Sequence, residues 1–218
     1  MATFVIGDIH GQAKALEKCL ELSGFDMQND KLISLGDVCD RGPHVKESFD
    51  LLLKVKNLVY VMGNHDKWFL DWALTGHTEL VWEYRYGKIT LESYKDGKIP
   101  EEHIELLRNA GLYHEENNRL FAHAGFMVNK PMEEQNEYDL LMSRDLIEYA
   151  FEIRDEPEIN LDLSFDEVFV GHTPTQNYDS QKPIFIKGLW LLDTGAGWGY
   201  SLTIMNVDTK EFWQAEVK

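Results

Sequence analysis

Five short polar clusters in the chain carry residue types that could bind metal ions. They are GDIHG at 7–11, GDVCDRG at 36–42, GNHD at 63–66, HAG at 123–125 and GHT at 171–173. Together they offer three imidazoles, two carboxylates and one amide, a nitrogen and oxygen set that suits divalent transition metals. The candidate ligands are Asp8, His10, Asp37, Asn64, His123 and His172.

Six ligands are more than one catalytic ion with an open position would use. They suit two ions that share a carboxylate and lie about 3.5–4 Å apart. Asp37 is the candidate bridge, because a carboxylate has two oxygens. Each cluster alone is also typical of an ordinary turn, since Gly, Asn and Asp favour turns. Five such clusters in one chain, each after a predicted strand, favour a common metal site instead.

The elements that must position these clusters can be read from the apolar pattern. Each cluster follows a brief apolar segment typical of a buried strand: ATFVI, KLISL, NLVYVM, RLFA or DEVFV. Helical patterns lie between several of the segments. Their faces are formed by Ala13, Leu16, Cys19 and Leu20, by Phe49, Leu52, Leu53 and Lys56, and by Trp68, Phe69, Trp72 and Ala73. Strand–helix alternation predicts α/β layers, in which ligand residues collect at the carboxyl ends of strands.

The alternation stops between about residues 75 and 118, and we interpret this stretch as a mostly helical insertion, with one helix from about Pro100 to Ala110. A further helical pattern covers 138–153. The tail from 188 to 217 is predicted to form strands, with a hairpin turn at DTK, 208–210. We expect one domain over residues 1–218 that carries this insertion.

Composition limits the classes of protein and partner. The 218 residues contain 44% hydrophobic residues, which suits a globular protein, and carry a net charge of −17, which argues against nucleic acid as a partner. No apolar run approaches membrane-spanning length, so no membrane partner is expected. Cys19 and Cys39 form no CxxC motif, and the N-terminus lacks the pattern of a signal peptide. These features predict a cytoplasmic protein.

The motif set resembles that of the calcineurin-like metallophosphoesterases. GDVCDRG in particular resembles the phosphoprotein phosphatase branch, and the short chain is similar to the bacterial and bacteriophage-lambda type of serine/threonine protein phosphatase. Symmetrical diadenosine tetraphosphate hydrolases share the same motifs. The resemblance implies an α/β fold, a layered sandwich of two mixed β-sheets flanked by helices.

The resemblance also implies a role for each motif residue. Asp8 and His10 would bind the first metal ion, Asp37 would bridge, and Asn64, His123 and His172 would bind the second, with Asn64 also near the substrate. His65 would act as the general acid, oriented by Asp40. Arg41 would hold the phosphate together with Arg144, which lies in LLMSRDL.

Two positions depart from the pattern of this branch. Asp66 stands where Glu is common, and we expect it to support its loop without loss of activity. Tyr200 and Ser201 replace a commoner Gly-Lys pair at the substrate rim. Four histidines lie outside the clusters and are predicted to be surface or packing residues: His44, His77, His103 and His114.

Other phosphatase chemistries lack their residues in this chain. A cysteine nucleophile with an arginine six residues on would pair Cys39 with position 45, which is Val45. No Asp-x-Asp motif and no GxxxxGK[ST] loop occurs. What remains is direct attack on phosphorus by a hydroxide held between two metal ions, whose binding lowers the pKa of water.

The leading hypothesis from sequence is therefore a metal-dependent phosphomonoester hydrolase of the serine/threonine protein phosphatase type, acting on a phosphorylated protein. The alternative is hydrolysis of diadenosine tetraphosphate or another small phosphate ester. An inactive binding scaffold is the least favoured hypothesis, because every expected ligand and the acid histidine are present. Manganese is the expected cofactor, two ions per chain, although the ligand set also accommodates iron, zinc or nickel.

Overall fold

The computed structural model describes residues 1–217 and contains two five-stranded β-sheets. The first sheet has the strands β1 (Thr3–Ile6), β2 (Lys31–Ser34), β3 (Asn57–Tyr60), β9 (Ser201–Asn206) and β10 (Phe212–Glu216), in the order β10-β9-β1-β2-β3. β1, β2 and β3 are parallel, whereas β9 and β10 join antiparallel. The carboxyl ends of three parallel strands therefore lie side by side.

The second sheet repeats this mixed arrangement. Its strands are β4 (Tyr113–Glu116), β5 (Arg119–Ala122), β6 (Glu167–Val170), β7 (Ile184–Ile186) and β8 (Leu189–Leu191), in the order β4-β5-β6-β8-β7. β5, β6 and β8 are parallel, and an antiparallel strand closes each edge. The expected sandwich of two mixed sheets is thus confirmed.

The two sheets pack face to face through an apolar layer to which both contribute. Val5 and Ile33 come from the first sheet, and Phe121 and Phe169 come from the second. The two phenylalanine rings stack with their centroids 5.0 Å apart. All four residues are buried, as expected for short parallel strands covered on both faces.

Within residues 1–217, seven α-helices cover the outer faces: α1 (Ala13–Leu22), α2 (Val45–Leu52), α3 (Asn64–Thr75), α4 (Gly87–Ser93), α5 (Glu101–Arg108), α6 (Glu137–Leu141) and α7 (Asp145–Glu152). Leu16, Phe49 and Leu107 pack in the apolar cluster beneath the first sheet, and Ile147 packs beneath the second. Within residues 1–217, none of the helices combines the length and apolar character that crossing a membrane requires. Both cysteines are buried free thiols.

Three boundaries differ from the sequence predictions. α2 ends at Leu52, so Leu53 and Lys56 lie beyond the helix to which the pattern assigned them. The predicted helix over 138–153 is two helices, α6 and α7, separated by Met142–Arg144. The stretch 75–118 holds a π-helical turn at Trp82–Tyr86 with α4 and α5, but its last part is β4, which pairs with β5 in the core sheet.

One histidine outside the clusters, His103, anchors the insertion to the body of the protein. It is fully buried on α5, its Nε2 lies 3.0 Å from Oδ1 of Asp50, and its Nδ1 lies 3.0 Å from the Tyr94 hydroxyl. Burial lowers the pKa of His103, and Asp50 offsets part of this effect. The folded state therefore holds His103 neutral at a pH where an unfolded chain would begin to protonate it.

We expect His103→Leu to lower the free energy of unfolding by about 1–3 kcal/mol, because the buried Tyr94 hydroxyl loses its partner. The unfolded chain takes up a proton at His103 near pH 6.5, whereas the folded protein takes it up only at a lower pH. Stability should therefore fall as the pH drops from about 7 to 5, and this fall should be smaller in the variant. Urea denaturation at both pH values measures the two effects.

His77→Leu is the matched control, because the His77 side chain is 89% exposed. We expect this control to unfold as the wild type does at both pH values. A His103→Leu protein with the stability and pH dependence of the control would contradict the buried role of His103.

Candidate metal centre

The six predicted ligands lie just beyond the carboxyl ends of parallel strands from both sheets, five of them in loops and Asn64 as the first residue of α3. Asp8 and His10 follow β1, Asp37 follows β2, and Asn64 follows β3. His123 and His172 follow β5 and β6 of the second sheet. Because parallel strands in each sheet end at the same edge, the loops of the two sheets face one another there.

Asp37 occupies the centre of this group. Its Oδ2 lies 3.6 Å from Nε2 of His10 and 3.5 Å from Nε2 of His123. Asp37, His123 and His172 present ligand atoms within 4.8 Å of one another, and so do His10, Asp37 and His65. Asp8 adjoins the second of these groups, with its Oδ2 4.0 Å from Nε2 of His10. One carboxylate thus belongs to two potential ligand clusters.

Hydrogen bonds fix which ring nitrogen of each histidine is free to bind a metal. Nδ1 of His10 lies 2.7 Å from the Cys39 carbonyl, and Nδ1 of His123 lies 2.7 Å from the Leu35 carbonyl. A carbonyl can only accept, so Nδ1 carries the proton in both rings and Nε2 presents a lone pair. This is the arrangement in which backbone carbonyls orient metal-binding imidazoles.

Lone pairs also converge at the group formed by Asp37, His123 and His172. Nε2 of His123 and Oδ1 of Asn64 are 3.1 Å apart, and with the His123 proton on Nδ1 both atoms are acceptors. Two buried acceptors in contact repel each other unless a cation lies beside them. His172 uses Nε2 for the Met142 carbonyl at 3.1 Å, which leaves its Nδ1 as the ligand atom.

Buried acidic groups give a further reason to expect cations here. Burial raises the pKa of Asp8, and the nearby carboxylates of Asp193 and Asp37 raise it further. Burial likewise raises the pKa of Asp37, followed by the effect of Asp66. Buried carboxylates are normally paired or coordinate metals, and no Lys or Arg forms an ion pair with Asp8 or Asp37 within residues 1–217. The residues therefore fit divalent metal ions.

Asp66 holds the loop that carries Asp37 in place. Its carboxylate accepts hydrogen bonds from the backbone N–H groups of Asp37, Val38 and Cys39 at 2.7, 2.9 and 3.1 Å. The Tyr60 hydroxyl donates to it at 2.9 Å. These bonds stabilise a strained segment, because Asp37 has a φ of 51°. The aspartate that departs from the usual Glu thus supports the loop, as predicted.

The segment after β3 passes so close to the loop of Asp37 that only glycine fits at position 63. A Cβ on Gly63 would overlap the carboxylate and backbone nitrogen of Asp37. Any larger residue would therefore displace the central ligand, which explains the first letter of the GNHD cluster.

His65 and Asp40 form a buried pair next to the ligands. Nδ1 of His65 lies 2.5 Å from Oδ2 of Asp40, and the His65 backbone N–H donates to Oδ1 of Asp37 at 3.0 Å. Burial lowers the pKa of His65 to about 3 and raises the pKa of Asp40 to about 7. Both pKa shifts favour the uncharged forms of the two side chains, because burial makes an imidazolium and a carboxylate costly here. Because Nδ1 faces Asp40, Nε2 is the nitrogen that remains for a substrate.

A cavity of about 260 Å³ joins these groups to solvent. Arg41 and Arg144 line it together with His65, Asn64 and His172. The structure thus brings together all ten residues that the sequence assigned to catalysis, substrate binding or metal binding, with Asp8, Asp40 and His123 just behind the cavity wall.

Sequence reasoning missed several residues of this site. Asp193 follows β8, is buried and lines the cavity, and the signal for it was an aspartate after the apolar run LWLL, as at the other strand ends. Trp198, Tyr86 and Trp68 also line the cavity. These aromatic residues have no comparable signal, because α3, the insertion and the loop after β8 meet only in the folded protein.

A comparison with protein families agrees with this geometry. The model of the calcineurin-like phosphoesterases matches residues 1–182, which is most of the chain. The chain belongs to the calcineurin-like phosphoesterase family. This membership confirms the family that the motifs indicated and its divalent metal centre.

Curated relatives of this phosphoesterase include several that are named for one activity. A symmetrical bis(5'-nucleosyl)-tetraphosphatase of Coxiella burnetii (strain Dugway 5J108-111) is 26% identical over 96% of this chain and 89% of the relative. A protein of the same name from Methylobacillus flagellatus is 36% identical over 58% of this chain and 44% of the relative.

Solved structures share the fold of this phosphoesterase at low sequence identity. A crystal structure provisionally assigned as a diadenosine tetraphosphatase covers 99% of this chain and 93% of its own, with a TM-score of 0.74 and 19% identity. The cold-active protein-tyrosine phosphatase of a Shewanella species covers 99% of this chain and 80% of its own, with a TM-score of 0.63 and 16% identity. Both support the fold alone.

Arg41 of this phosphoesterase is held by aromatic rings instead of a carboxylate. Its Cζ lies 4.0 Å from the ring centroid of Trp198 and 5.2 Å from that of Tyr86. Its Nε is buried and has no hydrogen-bond partner among residues 1–217. Cation–π contacts leave the guanidinium donors free, so Arg41 is set to receive an anionic oxygen.

We expect Arg41→Ala to raise the inhibition constant of inorganic phosphate about ten- to a hundredfold, because a charge-assisted hydrogen bond to phosphate is lost. This constant is measured by titrating inorganic phosphate as a competitive inhibitor at several substrate concentrations. Arg85→Ala is the matched control, since Arg85 contacts the same Tyr86 ring at 5.3 Å but is exposed and does not line the cavity. Equal inhibition constants in Arg41→Ala and this control would rule out the assigned role.

Proposed function

We propose that this protein hydrolyses dinucleoside tetraphosphates such as diadenosine tetraphosphate, cleaving the central phosphoanhydride to release two nucleoside diphosphates. The observation that carries the hydrolase chemistry is the carboxylate of Asp37, which lies between the His10 and His123 imidazoles and belongs to two ligand clusters. The choice of substrate is supported by the relatives named for symmetrical cleavage of bis(5'-nucleosyl) tetraphosphates over 96% of this chain.

The residues at the centre divide into two groups of ligands. Asp8, His10 and Asp37 would hold one divalent ion, and Asp37, Asn64, His123 and His172 would hold the other. Such ions, when bound, make a water molecule acidic enough to act as a nucleophile near neutral pH and neutralise phosphate charge. Manganese remains the expected metal.

The protein side chains supply the remaining steps. Arg41 and Arg144 bind non-bridging phosphate oxygens from the cavity wall, and their positive charge stabilises charge that develops on those oxygens. His65 donates a proton from Nε2 to the oxygen that leaves with the second nucleoside diphosphate, and the proton shared between Nδ1 and Asp40 stays on the imidazole, so the ring ends neutral and Asp40 ends as a carboxylate. Asp40 holds Nδ1 of His65 and so fixes the direction of that donation.

The rim of the cavity suits a nucleotide. Trp198 is 56% exposed while its ring also contacts Arg41, so it can offer apolar area beside the phosphate-binding arginine. A base attached to the phosphate chain could stack on such a ring, as bases do on exposed aromatic side chains. An aromatic rim of this kind favours a substrate that carries bases next to its phosphates.

Serine/threonine protein phosphatase activity is the second candidate. It is supported by the GDVCDRG motif, whose Arg41 lines the cavity and whose Asp40 contacts Nδ1 of His65 behind the cavity wall. A phosphorylated side chain would then be the substrate, with the same ligands and the same acid.

A steady-state comparison on metal-stripped protein with manganese added tests the proposal. The substrates are diadenosine tetraphosphate, a phosphoserine peptide and a phosphotyrosine peptide, and the products of the dinucleotide are separated by ion exchange. We expect the highest kcat/KM on the dinucleotide, with ADP as the sole nucleotide product. AMP with ATP would contradict central cleavage, and a higher kcat/KM on the phosphoserine peptide would establish the second candidate.

The Asp37→Asn protein, which is expected to lose its metal and its activity on every substrate, is purified and assayed in parallel to control for a contaminating phosphatase. Activity that persists undiminished in this variant on one substrate alone would assign that activity to a contaminant.

A further inference from the structure

The insertion contacts the acid–base pair from behind, through Asp40. Oδ1 of Asp40 accepts a hydrogen bond from Nε1 of Trp82 at 3.1 Å and another from Oγ1 of Thr90 at 2.5 Å. The Thr90 hydroxyl oxygen in turn accepts from the Asp40 backbone N–H at 2.9 Å. The other carboxylate oxygen, Oδ2, faces Nδ1 of His65. Each oxygen of this fully buried carboxylate thus has its own fixed partners.

Trp82 is held in its position by the packing of the insertion. Its side chain is fully buried, and its ring lies 6.3 Å from the Phe69 ring and 5.9 Å from the Trp72 ring of α3. A Cβ at Gly87 would overlap the indole, so glycine at that position permits the contact. Trp82 begins the π-helical turn Trp82–Tyr86, a rare element that is frequent at functional sites.

The end of the same π-helical turn contacts the cavity directly. The Tyr86 ring lies 4.9 Å from the His65 ring and stacks at 6.4 Å against Trp68, which also contacts His65. One short element therefore contacts the His65–Asp40 pair from two sides, through Trp82 on Asp40 and through Tyr86 on His65.

The two donors on Oδ1 fix the rotation of the Asp40 carboxylate. If the Trp82 N–H or the Thr90 hydroxyl were removed, Asp40 could turn, and Oδ2 would no longer hold the His65 ring in one orientation. Asp40 also has a φ of 71°, so its backbone is strained and depends on such surrounding bonds. A buried network of this type loses its geometry when one member is removed.

We propose that Trp82 and Thr90 are positioning residues for the proton donor His65, acting through Asp40. The packing of the insertion would thereby determine the orientation of the His65 ring in the catalytic step. This inference rests on the proposed general-acid role of His65, but it does not depend on the dinucleotide being the substrate.

The test compares Trp82→Phe and Thr90→Val, each of which removes a hydrogen-bond donor but keeps most of the side-chain volume. The assays use phenyl phosphate and 4-nitrophenyl phosphate, which need no nucleotide recognition. Phenol is the weaker acid, so its departure depends more on a proton donor. We expect kcat on phenyl phosphate to fall about tenfold or more in both variants, with a clearly smaller fall on 4-nitrophenyl phosphate and an unchanged KM.

Two matched variants separate positioning from packing. Trp72→Phe alters the neighbouring tryptophan, for which no hydrogen bond to Asp40 occurs within residues 1–217, and should keep the wild-type kcat on both esters. Thr90→Ser keeps the hydroxyl and should restore kcat on phenyl phosphate. His65→Asn should show the same dependence on the leaving group, more strongly. Equal losses on both esters in Trp82→Phe and Thr90→Val would overturn the proposal.

A second readout requires no turnover. The Nδ1 proton of His65, identified by its loss in Asp40→Asn, is followed by NMR in the metal-free protein. We expect it to be sharp in the wild type and Trp72→Phe, and broadened or lost in Trp82→Phe and Thr90→Val. An unchanged resonance in both of these variants would overturn the proposal even if the aryl esters were poor substrates. A protein that does not cleave diadenosine tetraphosphate would refute the dinucleotide proposal and leave these two readouts to decide the role of the insertion.

Discussion

His65→Asn is expected to lower kcat by about a hundred- to ten-thousandfold, the range typical of losing a positioned general acid. The reason is geometric, because Asp40 holds Nδ1 of His65 at 2.5 Å and leaves Nε2 for the leaving oxygen. Asparagine can still donate a hydrogen bond but cannot deliver a proton. The metal content should change little, because the six assigned ligands remain. Steady-state kinetics and elemental analysis of the same preparation measure both quantities.

His44→Asn provides the matched control for this variant. His44 is half-buried at the start of α2 and lies outside the ligand clusters, so its variant should keep the wild-type kcat. A His65→Asn enzyme as active as this control would remove His65 from the mechanism. A His65→Asn enzyme that lost much of its metal would instead place His65 among the ligands, since its ring lies in one cluster with His10 and Asp37.

Asp37→Asn is expected to reduce metal binding at both positions, from about two ions per chain in the wild type to below about one. Oδ2 of Asp37 lies between Nε2 of His10 and Nε2 of His123, and the neutral amide that replaces it has one oxygen and no charge. Activity should fall with the metal. Equilibrium dialysis against manganese followed by elemental analysis measures the stoichiometry.

His172→Ala is the matched comparison for Asp37→Asn. His172 belongs only to the group that contains Asp37 and His123, so its loss should weaken one ion and leave the other bound. If Asp37→Asn kept the wild-type stoichiometry, or lost no more metal than His172→Ala, Asp37 would not be a shared ligand.

The grouping of the six candidate ligands could be predicted from sequence, because the position of each at the end of a strand is encoded locally. A short apolar run such as RLFA, followed directly by His123, predicts a buried strand with a polar group at its end. Parallel strands then bring these ends to one edge without further information. Asp193 follows the same rule after β8, and the sequence would have yielded it had the rule been applied to every strand.

The contacts of the insertion could not be predicted in this way. Trp82 and Thr90 bind Asp40 across 42 and 50 positions of sequence, and no local pattern encodes such a pairing. β4 looked like the end of a helical insertion, because its sequence YHEE is polar, yet its pairing with β5 places it in the core sheet. Tertiary pairing outweighed local propensity there.

The substrate is predicted even less well by the sequence motifs. The ligands, His65 and the two arginines would serve a phosphoprotein or a dinucleotide equally well, since both present a phosphate to the same cavity. The difference must come from the rim, where Trp198 and Tyr86 surround Arg41. Aromatic residues in loops have no spacing rule, so comparison with relatives was needed to favour the dinucleotide.

Anomalous diffraction from a crystal grown with manganese tests the central claim most directly. We expect two anomalous peaks per chain, one beside Asp8 and His10 and the other beside Asn64, His123 and His172, with the Asp37 carboxylate in contact with both. A single peak, or a pair of which Asp37 touches only one, would contradict it.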